Sequence, residues 1–83
     1  MKLLYFAWVR ERMGRAGEEI AVPPHVLTIR DLIAWLAKRD DGGRLAFADP
    51  RMIRAAADQE HVPLDHPLEG VKEVALFPPV TGG

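Results

Sequence analysis

The chain has 83 residues, 48% of them hydrophobic and 28% charged, with 11 Lys+Arg against 12 Asp+Glu and a formal net charge of −1. This composition gives one globular domain at most. It excludes intrinsic disorder, lacks the basic excess that nucleic-acid binding requires, and contains no apolar run long enough for a membrane helix or a signal peptide. Cysteine, serine and asparagine are absent, which removes disulfides, thiolate metal sites and Cys or Ser nucleophiles; the expected compartment is the cytoplasm.

Lys2 to Val9 is apolar after the lysine and carries Tyr5, Phe6, Trp8 and Val9, which predicts a buried strand. Arg10 to Gly17, charged and with two glycines, predicts a loop leading to a second strand, Glu18 to Val22, which Pro23-Pro24 stops. Thr28 can cap a helix and Asp31 can reach back to it; Ile29, Leu32, Ile33 and Leu36 then form one stripe, with Trp35 at its edge. Gly42-Gly43 is the expected terminator, leaving a helix from Thr28 to about Arg39. Arg44 to Asp49 predicts a helical turn, Arg51 to Ala57 a weak strand anchored by Ile53, Asp58-Gln59-Glu60 a turn, and His61 to Leu64 a short edge strand. Asp65 to Gly70 is turn chemistry, Val71 to Phe77 is the last strand, and Pro78-Pro79 ends it.

The order β-β-α-β-(β)-β predicts an α+β fold of the ubiquitin-like β-grasp type: a mixed sheet of four to five strands with one main helix on one face. The first and last strands are the most apolar and are expected to be central, parallel neighbours. The expected core is Leu3, Tyr5, Ile20, Val22, Leu32, Ile33, Leu36, Ile53, Val74 and Leu76. If Leu3, Tyr5, Ala7, Val74 and Leu76 face the helix, strand alternation turns Leu4, Phe6 and Phe77 to the other face. A one-helix sheet has nothing of its own to cover that face, so this apolar patch is a candidate binding surface.

Side chains suited to catalysis are scarce. Thr28, Thr81, Tyr5 and three scattered lysines are the remaining nucleophiles. His25, His61 and His66 lack metal-ligand spacing, so no metal site is expected. The cluster Arg10, Arg12 and Arg15 suits an acidic surface or a phosphate, and equally suits a solvated loop. What remains is the chain end. Residues 1–79 are expected to form the domain, and 80–83 an extended diglycine tail. Pro78-Pro79 stiffens the exit from the strand, and Val80, Thr81, Gly82 and Gly83 make a slim terminus suited to threading a narrow channel, with the α-carboxylate of Gly83 at its tip.

Both ends of the chain resemble one family. Met1 to Ala7 followed by Val9-Arg10-Glu11, then Asp65-His66-Pro67-Leu68, and above all Phe77-Pro78-Pro79-Val80-Thr81-Gly82-Gly83, are similar to the small subunits of molybdopterin synthase. Asp58 stands where that family often has Asn, and His61 where related chains can carry an apolar residue. The resemblance implies a sulfur carrier in molybdenum cofactor biosynthesis, with no bound cofactor of its own. A ubiquitin-activating-like adenylyltransferase would use ATP to adenylate the Gly83 carboxylate, and sulfur would replace AMP to give a thiocarboxylate. The tail would then enter the large subunit of molybdopterin synthase and donate sulfur to cyclic pyranopterin monophosphate. Catalytic groups would lie in that partner, so no stand-alone activity is expected. Leu4, Phe6, Phe77, Pro78 and Pro79, with Arg10 and Arg12, are the expected partner interface. Two alternatives are a carrier for another pathway, such as thiamin synthesis, and a ubiquitin-like binding module whose tail is never activated.

Overall fold

A computed structural model describes residues 1–79. The elements are β1 (Lys2–Tyr5), α1 (Ala7–Met13), β2 (Gly17–Glu19), α2 (Ile29–Arg39), α3 (Asp41–Ala46), a 3-10 turn (Pro50–Met52), β3 (Arg54–Ala57), β4 (Glu60–Val62) and β5 (Glu73–Phe77). The strands form one sheet in the order β2-β1-β5-β3-β4. β1 and β5 are parallel neighbours, with Lys2 opposite Glu73 and Tyr5 opposite Leu76, and the other pairings are antiparallel. Alternation along the strands sends Leu3, Tyr5, Ala55, Ala57, Val74 and Leu76 to one face, where they join Ile29, Leu32, Ile33 and Leu36 of α2 in a single core. Thr28 starts α2 as the sequence predicts: its hydroxyl accepts from the Asp31 N–H at 3.1 Å, and the Asp31 carboxylate accepts from the Thr28 N–H at 3.2 Å.

Several boundaries differ from the sequence expectation. The first strand stops at Tyr5 rather than Val9. Ala7 takes a φ of 53°, a left-handed corner, and the chain turns directly into α1. The expected loop Arg10 to Gly17 is therefore mostly helix, closed by Gly14 at φ 76°, whose N–H donates to the Arg10 carbonyl at 3.0 Å. Val9 and Met13, four residues apart, place one side of α1 in the core, while Ala7 is exposed rather than core-facing. Gly42-Gly43 does not end the main helix. Asp40 does, in extended conformation, and its carboxylate accepts from the Gly43 N–H at 2.8 Å to start α3. Gly43 is buried where α3 crosses α2, and a Cβ there would overlap the Leu36 carbonyl oxygen. The main helix α2 is thus joined by two short ones: α1, where the sequence predicts strand and loop, and α3, near the predicted helical turn.

The second strand is shorter than expected, so Ile20 and Val22 are half-buried at the core edge, beyond β2. β4 covers Glu60–Val62, and β5 starts at Glu73 rather than Val71. Phe47, which the sequence places in a short turn, is buried with its ring 6.5 Å from that of Tyr5. The β3–β4 hairpin turns on Asp58 and Gln59, both at positive φ (48° and 73°). The Asp58 carboxylate accepts from the N–H groups of Lys72 and Glu73, 3.0 Å each, fastening the hairpin to the start of β5.

Candidate functional site

Among the described residues no helix lies on the sheet's second face. The registers place Leu4, Ala75, Ala56 and His61 in one row across β1, β5, β3 and β4, with Phe77 beside Arg54 in the neighbouring row. Phe6 follows at the end of β1, its N–H donating to the Leu76 carbonyl at 3.2 Å, and 49% of its surface is exposed. The patch expected from strand alternation exists, but its members are not equally open. Phe77 and Leu4 are half-buried rather than exposed. The Phe77 ring lies 5.2 Å from that of His61, a tilted contact from the edge strand. The place of His61 in the patch depends on the β3–β4 register, which no local signal reveals.

β5 lies between β1 and β3, so the segment leaving the sheet after Phe77 is anchored on both sides. Pro78 and Pro79 are half-buried at this exit and lack the N–H that could extend the ladder. Val80, Thr81, Gly82 and Gly83, which carry the chemistry expected from the sequence, lie outside the described residues.

The arginine cluster divides in two. Arg10 and Arg12 are exposed on α1, and the Arg12 guanidinium lies 4.2 Å over the Trp8 ring. Arg15 instead joins an internal network on the helix side of the sheet. There the Glu18 carboxylate accepts from the Tyr5 hydroxyl at 2.6 Å, from Arg15 at 3.1 Å, and from both terminal nitrogens of Arg39 at 2.9 and 2.7 Å. Burial pushes the Glu18 carboxyl up, but the hydrogen bonds from Arg39 and Tyr5 outweigh it and hold the group below the usual carboxylate range. Burial, then the Glu18 acceptor, raises the Tyr5 phenol far above its ordinary value. Tyr5 is therefore a fixed donor at neutral pH, not a nucleophile. Among the described residues no three His, Asp or Glu side chains are grouped to hold a metal ion, no side-chain polar atom is buried without a partner, and no helix is long and apolar enough to cross a membrane. What the geometry offers is an apolar face beside an anchored strand exit, with Arg10 and Arg12, which have no carboxylate partner among the described residues, exposed on the helix that follows Phe6: a docking surface.

Comparison with known proteins gives matches over the whole chain. The ThiS family profile matches residues 3–83. The molybdopterin synthase sulfur carrier subunit of Escherichia coli (strain K12) is 42% identical over 83 residues, covering 100% of this chain and 99% of that protein. The protein of the same name from Mycosarcoma maydis is 33% identical over 87 residues, covering 100% and 92%. The crystal structure of SAMP1 from Haloferax volcanii superposes with a TM-score of 0.70 at 25% identity, covering 100% of this chain and 98% of that one.

Proposed function

The chain belongs to the ThiS family, and from that premise we propose that it is the sulfur-carrying subunit of a molybdopterin synthase, loaded at Gly83. The observation that carries this reading is the full-length, 42% identity with the Escherichia coli subunit of that name. Residues 1–79 serve as the handle and 80–83 as the arm. An adenylyltransferase joins an oxygen of the Gly83 carboxylate to the α-phosphorus of ATP, and pyrophosphate leaves. Sulfur at the oxidation level of sulfide attacks the acyl carbon, AMP leaves, and the terminus becomes a thiocarboxylate. A carboxylate is a poor electrophile and its adenylate a good one, which is why activation comes first. Within the large subunit the thiocarboxylate sulfur is transferred to cyclic pyranopterin monophosphate, and two such donations complete the dithiolene. The setting for these encounters is the cytoplasm.

In this reading Leu4, Phe6 and Phe77 are the apolar centre of the partner interface, Pro78 and Pro79 aim the tail, and Arg10 and Arg12 steer association. In this reading acid, base and oxyanion groups are supplied by the partner. The test is an intact-mass measurement after incubation with the adenylyltransferase, ATP and a sulfur source. A gain matching one oxygen exchanged for sulfur, localised to Gly83, is expected. An unchanged mass with demonstrably active partners from the same source would refute loading and leave a binding module.

A further inference from the structure

Four large apolar side chains stand exposed among the described residues: Phe6, Leu27, Leu45 and Met52. Leu27 lines a hollow with Met1 and Pro67, near the start of β1. Phe6 is at the other end of that strand, and Leu45 and Met52, 60% and 46% exposed, lie on the walls of a separate groove that begins two residues beyond Phe6. This groove has a volume of about 270 Å³ and is framed by Trp8 and Arg12 of α1, Leu45 of α3, and Ala48, Asp49 and Met52 on the way into β3. The fold has no need of these apolar groups at the surface. α3 already buries Gly43 and Ala46, and the 3-10 turn has no buried residue.

The charges around the groove are lopsided. The Asp49 carboxylate is occupied by Arg51, whose side-chain nitrogens donate to it at 3.0 and 3.1 Å. Arg12 has no carboxylate partner among the described residues, and neither has Arg10. The rim therefore presents uncompensated positive charge beside an apolar slot with a flat indole wall and a flexible thioether, a combination suited to an apolar side chain flanked by acid.

We infer that this groove is a second contact for the molybdopterin synthase large subunit: it takes one apolar side chain from an acidic segment of that protein, whose carboxylate pairs with Arg12. Continuity commits the groove to this occupant. Phe6 and Trp8 are separated by one residue, as are Met52 and Arg54 by Ile53, and Arg54 is the cross-strand neighbour of Phe77. A partner seated over Phe6 and Phe77 that follows the surface outward meets the groove next. The inference rests on the docking proposed above, and the test separates the two.

The affinity of the full-length chain for the large subunit is measured by calorimetry at low and high salt for the wild type and for Leu45→Glu, Met52→Glu, Arg12→Glu and Phe77→Ala. Leu45 and Met52 are exposed, and thermal melting verifies that their variants fold. Both are expected to weaken binding about tenfold or more. Arg12→Glu is expected to weaken it at low salt and to flatten its salt dependence. If Phe77→Ala weakens binding while the Leu45 and Met52 variants stay within twofold of wild type, the groove is not a contact, and the sheet face stands. If all four bind as wild type, the docking reading falls with it. Sedimentation of the chain alone covers the remaining occupant: a self-association that Leu45→Glu abolishes, with large-subunit affinity unchanged, would assign the groove to a second copy and overturn the inference.

Discussion

Replacing Glu18 with Gln keeps the shape of the side chain and removes the charge on which Tyr5, Arg15 and Arg39 converge. In the folded protein 15% of the Glu18 side chain and 22% of the Arg39 side chain remain exposed. The amide oxygen accepts fewer donors than a carboxylate, and the new NH2 faces a guanidinium it cannot bond. Hydrogen bonds to a charged group contribute about 1.5–3 kcal/mol each when water is excluded, and breaking a fully buried pair costs about 3–5 kcal/mol. With part of both groups in water, the expected loss is about 2 kcal/mol at pH 7, or about 10 °C in Tm for a domain of this size. The effect has a pH signature. The Glu18 carboxyl is depressed in the folded state because the Arg39 and Tyr5 hydrogen bonds overcome the opposing effect of burial. Its stabilisation is therefore fully present above the ordinary glutamate value, about 4.3, and is lost as pH falls through the folded value. Asp31, Asp40 and Asp49 are also depressed and lose stability toward acid in both proteins, so the informative quantity is the gap between them. Urea denaturation of wild type and Glu18→Gln from pH 7 to pH 3 measures it, with equal m-values expected. A gap below about 0.5 kcal/mol at pH 7, the size expected of an ordinary surface pair, or one that does not narrow below pH 4, would refute the reasoning.

Other outcomes follow from the geometry. Gln59→Gly places glycine at a φ of 73° in the hairpin turn and should stabilise the fold by about 1 kcal/mol, seen as a raised Tm. Gly43→Ala forces a methyl group against the Leu36 carbonyl oxygen and should cost about 2 kcal/mol by the same measurement, because the obstacle is backbone. One residue added after Gly83 should leave Tm unchanged and abolish the mass gain on incubation with the adenylyltransferase, since the reacting carboxylate is moved out of register.

The sequence was most legible where a local pattern had one physical solution. Ile29, Leu32, Ile33 and Leu36 could line up only on a helix, Thr28 and Asp31 marked its start, and the apolar run at the end of the chain fitted a central strand. It was least legible where two solutions shared one pattern. Leu3 to Val9 is apolar throughout, so periodicity could not separate strand from helix, and the division rests on one left-handed residue, Ala7. The signal that was available, Val9 and Met13 at i and i+4, was masked by the charges between them. Gly42-Gly43 looked like a helix stop because glycine commonly is one. Here Gly43 serves close packing, and the cap is Asp40. For the site, alternation revealed Leu4, Phe6 and Phe77. The cover that His61 gives Phe77, and the groove between Trp8, Leu45 and Met52, depend on segments far apart in the chain.

The parallel alignment of β1 and β5 also has a mechanical consequence. Under the proposed function, a protein that receives the tail must also let go of it, and exchange of partners pulls the chain from the end beyond Pro79. That load runs along β5, across two ladders at once: four residue pairs to β1 and four to β3. Hydrogen bonds that lie across the direction of pull share the force, so they must give way together, whereas the same bonds in an edge strand peeled sideways would fail one at a time. On that reading the domain can be tugged by its arm without coming undone, and the arm would be withdrawn from one partner and presented to the next with the handle still folded.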